Sequence, residues 1–215
     1  MFMSVKSKRA AMIALVALAF SGHGAMALDP SFDCAKAQSS AEEAVCSSDA
    51  LASLDLELAR LYKAASTAPN VTHQALAKLK ATQRGWIKGR DACWTSDMGV
   101  PLCTANEYAF RISELRQLYA NARAGEGASL GPYPYRCEGL DETVSAVFVN
   151  TLEPMVVLRW GEAAVVLPQV VAASGAKYAS DAWAGGPALF WIKGRDAQFA
   201  APGQDELSCQ EDDIG

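Results

Sequence analysis

The stretch Asn121–Tyr135, NARAGEGASLGPYPY, decides the fold, because the hydrophobic period of the chain changes across it. Three glycines and two prolines crowd into these residues, a composition that ends helices and marks a connection. The boundaries drawn from it are a helical domain over residues 28–122, a linker over 123–134 and a β domain over 135–215. The expected class is therefore α+β built as two domains, the first all-α with disulfides and the second a small antiparallel β domain.

On the N-terminal side the rhythm is helical. SSAEEAVC opens with a capping box in which Ser40 and Glu43 satisfy each other's free backbone N–H groups. SDALASLDLELARLYKAA places Leu51, Leu54, Leu58, Leu61 and Tyr62 on one stripe behind an Asp49 cap. A third helix is predicted from Thr72 to about Ala92, and a fourth from Thr104, capped by Glu107 and running through Tyr108, Ile112, Leu115 and Leu118. On the C-terminal side come short runs rich in valine and aromatics, TVSAVFVN, MVVLRW, EAAVVLPQVV, ALFWIKG and AQFAAP. Glycine and proline punctuate them at the spacing of a small antiparallel sandwich or barrel.

The heptapeptide WIKGRDA falls once in each half, as Trp86–Ala92 and Trp191–Ala197. The first copy ends a helix, with Trp86 and Arg90 at i,i+4 read as a packed ring and a surface ion pair with Asp91. The second ends a strand, with Gly194 placed for a tight turn.

Lys6, Lys8 and Arg9, the apolar run Ala10–Phe20 and the small-residue site Ala25-Met26-Ala27 form the pattern of a cleaved secretory leader. The run is about half the roughly 20 residues that cross a bilayer, so no transmembrane segment is expected. The first cysteine, Cys34, stands away from the cleavage site, which points to a free periplasmic protein rather than a lipoprotein. Removal of residues 1–27 leaves 188 residues and moves the formal charge from −5 to −8. An acidic exported chain lacks the basic face that nucleic acid requires and suits a basic partner.

Six cysteines, Cys34, Cys46, Cys93, Cys103, Cys137 and Cys209, lie beyond residue 27, an even count in an oxidising compartment. With a boundary near residue 130, closed domains require Cys137 to pair with Cys209. The other four allow about three connectivities, of which Cys34–Cys46 and Cys93–Cys103 are favoured because each pair brackets one short turn. There is no C-x-x-C, and His73 is the only histidine after the leader, so no metal is expected. H-E-x-x-H is absent too. The pairs Glu42/Glu43 and Asp212/Asp213 read as a helix start and a solvated tail, so no catalytic residue and no cofactor are assigned.

Residues 135–210 resemble the MliC and PliC inhibitors of c-type lysozyme. The resemblance rests on YRC at the start, SGAKY in the middle, FWIKG followed by Ala197, and Cys209 near the end. It implies an eight-stranded antiparallel barrel whose serine of S-G-x-x-Y and lysine of F-W-x-K-G enter the lysozyme cleft. Here these are Ser174 and Lys193, with Gly175, Tyr178, Trp183 and Gly194 completing the expected lysozyme-binding set. Residues 32–118 resemble the LprI-type domain through FDCAKAQSSAEEAVC, LASLDLELARLY and QRGWIKGRDAC, a family also linked with lysozyme inhibition. The resulting expectation is a periplasmic, non-enzymatic inhibitor whose partner is c-type lysozyme. The alternative is an envelope module that binds peptidoglycan or another glycan by stacking on exposed Tyr178 and Trp183. One departure from the family pattern is the longer stretch ASDAWAGGPAL between Tyr178 and Phe190, which can extend the contact or displace Lys193 from Ser174.

Overall fold

The computed structural model describes residues 28–212; the expected leader over residues 1–27 and Asp213 of the acidic tail lie outside them. Among the described residues five α-helices come first: α1 (Ser40–Cys46), α2 (Asp49–Ser66), α3 (His73–Asp91), α4 (Val100–Leu118) and the single turn α5 (Ala120–Arg123). Eight strands follow, β1 (Ser129–Cys137), β2 (Val144–Val149), β3 (Met155–Trp160), β4 (Ala163–Val170), β5 (Ala176–Ser180), β6 (Ala188–Lys193), β7 (Asp196–Ala200) and β8 (Leu207–Glu211). Each strand pairs with the next, and β1 pairs with β8, so the sheet closes as an antiparallel barrel. Closure removes the exposed sheet edges that an open meander would leave.

The helix starts lie close to their expected places, with shifts that have local causes. Ser39 rather than Ser40 caps α1, accepting the Glu42 N–H at 3.2 Å, while the Glu42 carboxylate accepts from the Gln38 N–H. Ser48 caps α2, leaving Asp49 as its first residue, where the carboxylate suits the positive end of the helix dipole. The fourth helix begins at Val100 rather than Thr104, because Pro101 sits in its first turn, where no N–H is needed. The second half of the stretch expected as a linker is strand: β1 starts at Ser129, with an irregularity in register between Leu130 and Tyr133 that accommodates Gly131 and Pro132.

All three disulfides join the expected partners, Cys34–Cys46, Cys93–Cys103 and Cys137–Cys209. Cys137 and Cys209 face each other directly in the β1–β8 register, so the bond clamps the seam at which the barrel closes.

Two apolar cores form. The inner core fills the barrel with Val144, Ala146, Val156, Leu158, Val165, Leu167, Phe190 and Phe199. The second core joins the halves: Leu54, Leu58, Leu61, Tyr108, Ile112 and Leu115 of the helices pack with Val147, Val149, Met155, Val157 and Val166 of the barrel wall. Strands β2 and β3 are thus covered on both faces along their apolar runs 146–149 and 155–158. The helical layer packs on the barrel through α4, against β1 to β4.

Candidate functional site

β5 and β6 form the hairpin that carries the motif residues. Tyr178 faces Phe190, and both rings point inward; one step along, Lys177 faces Trp191, and both point outward. Ala176 faces Ile192 at the end of the hairpin where the Ser174-Gly175 turn approaches the end of β6. Gly175 has φ +67°, and its α-carbon lies so close to the strand that an added Cβ would meet the Ile192 carbonyl oxygen at 2.0 Å. Only glycine permits that approach.

Trp191 occupies the centre of this cluster. Its indole N–H donates to the Ser174 carbonyl at 2.9 Å. The Lys193 ammonium lies 3.7 Å from the ring centroid and the Lys177 ammonium 5.1 Å from it, both within the range of cation–π attraction. Ser174 and Lys193 are exposed at one rim of the barrel. Gly194, at φ +67°, opens the two-residue turn from Lys193 to Asp196, a glycine position typical of tight hairpins. Arg195 anchors the turn to β8 by donating to the Glu211 carbonyl at 2.9 Å, while the Glu211 N–H donates to the Arg195 carbonyl at 2.8 Å. A groove of about 650 Å³ runs from Trp191 and Lys193 across Asp196 and Gln198 to Arg136 and Glu138.

Of the expected set, Ser174, Gly175, Lys193 and Gly194 are therefore together. Tyr178 and Trp183 do not join them. The Tyr178 ring, 4% exposed, packs in the barrel against Phe148, and burial pushes its phenol pKa up. Trp183 folds back to the joint between the halves, its N–H donating to the Val166 carbonyl at 2.9 Å and its ring set edge-on to Phe110 of α4. Neither is the exposed platform that sugar stacking needs. The long stretch after Tyr178 loops at the Ser180–Ala188 end of the hairpin, opposite Ser174 and Lys193. Lys177 was not singled out from the sequence; the alternation that sends Tyr178 and Phe190 inward is the signal that puts it beside Trp191.

The first WIKGRDA copy builds something different. Lys88 is exposed, but Arg90 is 4% exposed and not a surface residue. It donates to Asp91, to Glu42 at 3.1 Å and to the Tyr108 hydroxyl at 3.1 Å, and Tyr108 in turn donates to Asp55 at 2.9 Å. Asp91 also accepts from Ser39, so the network ties α1, α2, α3 and α4 together. Burial lowers the basicity of Arg90, but the Tyr108 and Asp91 interactions outweigh it and raise its pKa overall.

Comparison with known proteins matches this division. The family described as lysozyme inhibitor LprI matches residues 34–115, and the one described as membrane-bound lysozyme-inhibitor of c-type lysozyme, MliC, matches residues 135–208. Lipoprotein LprI of Mycobacterium bovis and of Mycobacterium tuberculosis are each 31% identical over 150 residues, covering 69% of this chain and 70% of theirs. A crystal structure of Pseudomonas aeruginosa MliC in complex with hen egg white lysozyme aligns at 24% identity and a TM-score of 0.32, over 41% of this chain and 89% of that one. With helices and barrel in the order of these two matches, this chain belongs to the LprI family of lysozyme inhibitors, with an MliC-type domain as its second half.

Proposed function

We propose that the protein inhibits c-type lysozyme in the periplasm by inserting Ser174 and Lys193 into the catalytic cleft. The observation that carries this reading is the cluster at the barrel rim: a serine turn and a lysine strand end, distant in sequence, are joined through Trp191, and both residues are exposed. Retaining glycosidases depend on two carboxyl groups about 5 Å apart, one of them a proton donor. An ammonium delivered between them pairs with the carboxylate, and a hydroxyl beside it hydrogen-bonds the acid. Both groups are then engaged and the sugar is excluded, so inhibition needs no turnover by the inhibitor. The acidic balance of the chain, −5 overall, supports encounter with a basic enzyme and acts on association rate more than on affinity.

The test uses residues 28–215 mixed with hen egg white lysozyme while bacterial cell-wall lysis is followed. Wild type is expected to inhibit, Lys193→Ala to lose at least about tenfold in affinity, as expected for removing a buried interfacial charge, and Lys88→Ala to match wild type. Lysis unaffected by the wild-type protein would reject the function. Undiminished inhibition by Lys193→Ala would reject the site.

A further inference from the structure

We propose that Trp191 is the positioning residue of the inhibitory site, holding Ser174 and Lys193 in their binding arrangement before any partner arrives. The proposal rests on the reading of Ser174 and Lys193 as the inhibitory pair. Trp191 is half-buried on the outer face of β6, so its ring is not part of the barrel core, which Phe190 fills from the same strand. Its two contacts are divided between the two halves of the site. The indole N–H holds the Ser174 carbonyl at 2.9 Å, fixing the turn, and the ring face holds the Lys193 ammonium at 3.7 Å.

Lysine otherwise loses considerable rotamer freedom when it is immobilised at an interface. A side chain already lying over an indole has given up part of that freedom in the free protein, so less is lost on binding. The Ser174 turn gains similarly, because its backbone is tied to β6 both by the indole and by the close approach of Gly175 to Ile192. Lys177, 5.1 Å from the same ring, is the more distant cation, and Lys193 is the one held close.

The decisive measurement is a set of inhibition constants against hen egg white lysozyme for Trp191→Phe and Trp191→Leu, each alone and combined with Lys193→Ala or Ser174→Ala. Trp191→Phe keeps a ring for the ammonium and loses the N–H, so it should weaken inhibition about 5-fold, the scale of one modest hydrogen bond. Trp191→Leu loses both contacts and should weaken it about 20-fold. In the Lys193→Ala background the leucine change should cost no more than about 5-fold, because the cation contact is already gone. Equal losses in all backgrounds, or none in any, would overturn the positioning role. Thermal midpoints within a few degrees of wild type are expected for both variants.

A second readout needs no lysozyme. In the free wild-type protein, ring currents should shift the Lys193 ε-methylene protons upfield by NMR, and Trp191→Leu should return them to ordinary values. Failure of wild type to inhibit would remove the proposed function, whereas an unshifted Lys193 resonance would remove the coupling to Trp191.

Discussion

Gly175 shows how a single residue sets the site. Its φ of +67° disfavours any side chain, and the atom that a Cβ would meet is a backbone oxygen that cannot swing aside. Gly175→Ala should therefore push the Ser174 turn off β6 and reduce lysozyme inhibition at least about tenfold, or about 1.4 kcal/mol, with the barrel intact by circular dichroism. Gly194 provides the control, since it shares the φ of +67° but has open space around it. Gly194→Ala should cost about 1–2 kcal/mol of stability in thermal melts and weaken inhibition less than Gly175→Ala does. Similar inhibition by the two variants would argue that backbone strain, not the close approach, governs the turn. Whereas a role for Ser174 and Lys193 is what the family resemblance implies, the turns at Ser174-Gly175 and Lys193-Gly194 were legible in the sequence because turn chemistry is local. Trp183 was not, since its seat is made by Phe110 and the Val166 carbonyl, partners that no local pattern reveals.

Between elements, the same heptapeptide ends a helix in one half and a strand in the other, which the flanking period predicted. Burial of Arg90 was less accessible to sequence reasoning. Spacing on α3 showed Arg90 one turn from Trp86, but Glu42, Tyr108 and Asp55 come from three other helices. Arg90→Ala would strand two carboxylates and a buried hydroxyl without their shared donor. A loss of about 3 kcal/mol is expected, seen as a drop of roughly 6–12 °C in the thermal midpoint. Lysozyme inhibition at 25 °C should persist if the barrel carries it. An unchanged midpoint would show that water replaces the guanidinium at no cost.

On the scale of the whole molecule, the two halves were legible from the change of period, but the second core that joins them was not. The four-residue apolar runs 146–149 in β2 and 155–158 in β3 are the signal that both faces are covered; the sequence does not say by what. The joint is locked by charge as well as apolar contact. Glu57 of α2 is buried and accepts from Arg60 at 2.7 and 2.8 Å, from the Ala128 N–H at 3.2 Å and from the Ser129 hydroxyl at the start of β1, while Arg116 of α4 donates to the Gly131 carbonyl at 2.8 Å. Burial alone would raise the Glu57 pKa, but the hydrogen bonds from Arg60 and Ser129 and the Arg60 charge together bring it below its ordinary value of 4.5. A carboxyl depressed in the folded state adds stability above its unfolded value and loses it as pH falls through the folded one. The joint should thus weaken as pH drops from about 4.5 downward. Thermal midpoints taken between about pH 5 and pH 3 should fall more steeply for wild type than for Glu57→Gln, whose amide cannot titrate. Parallel slopes would mean that the carboxylate does not hold the helices to the barrel. A steeper wild-type slope, with a single cooperative transition throughout, would mean that the helical layer and the barrel unfold together.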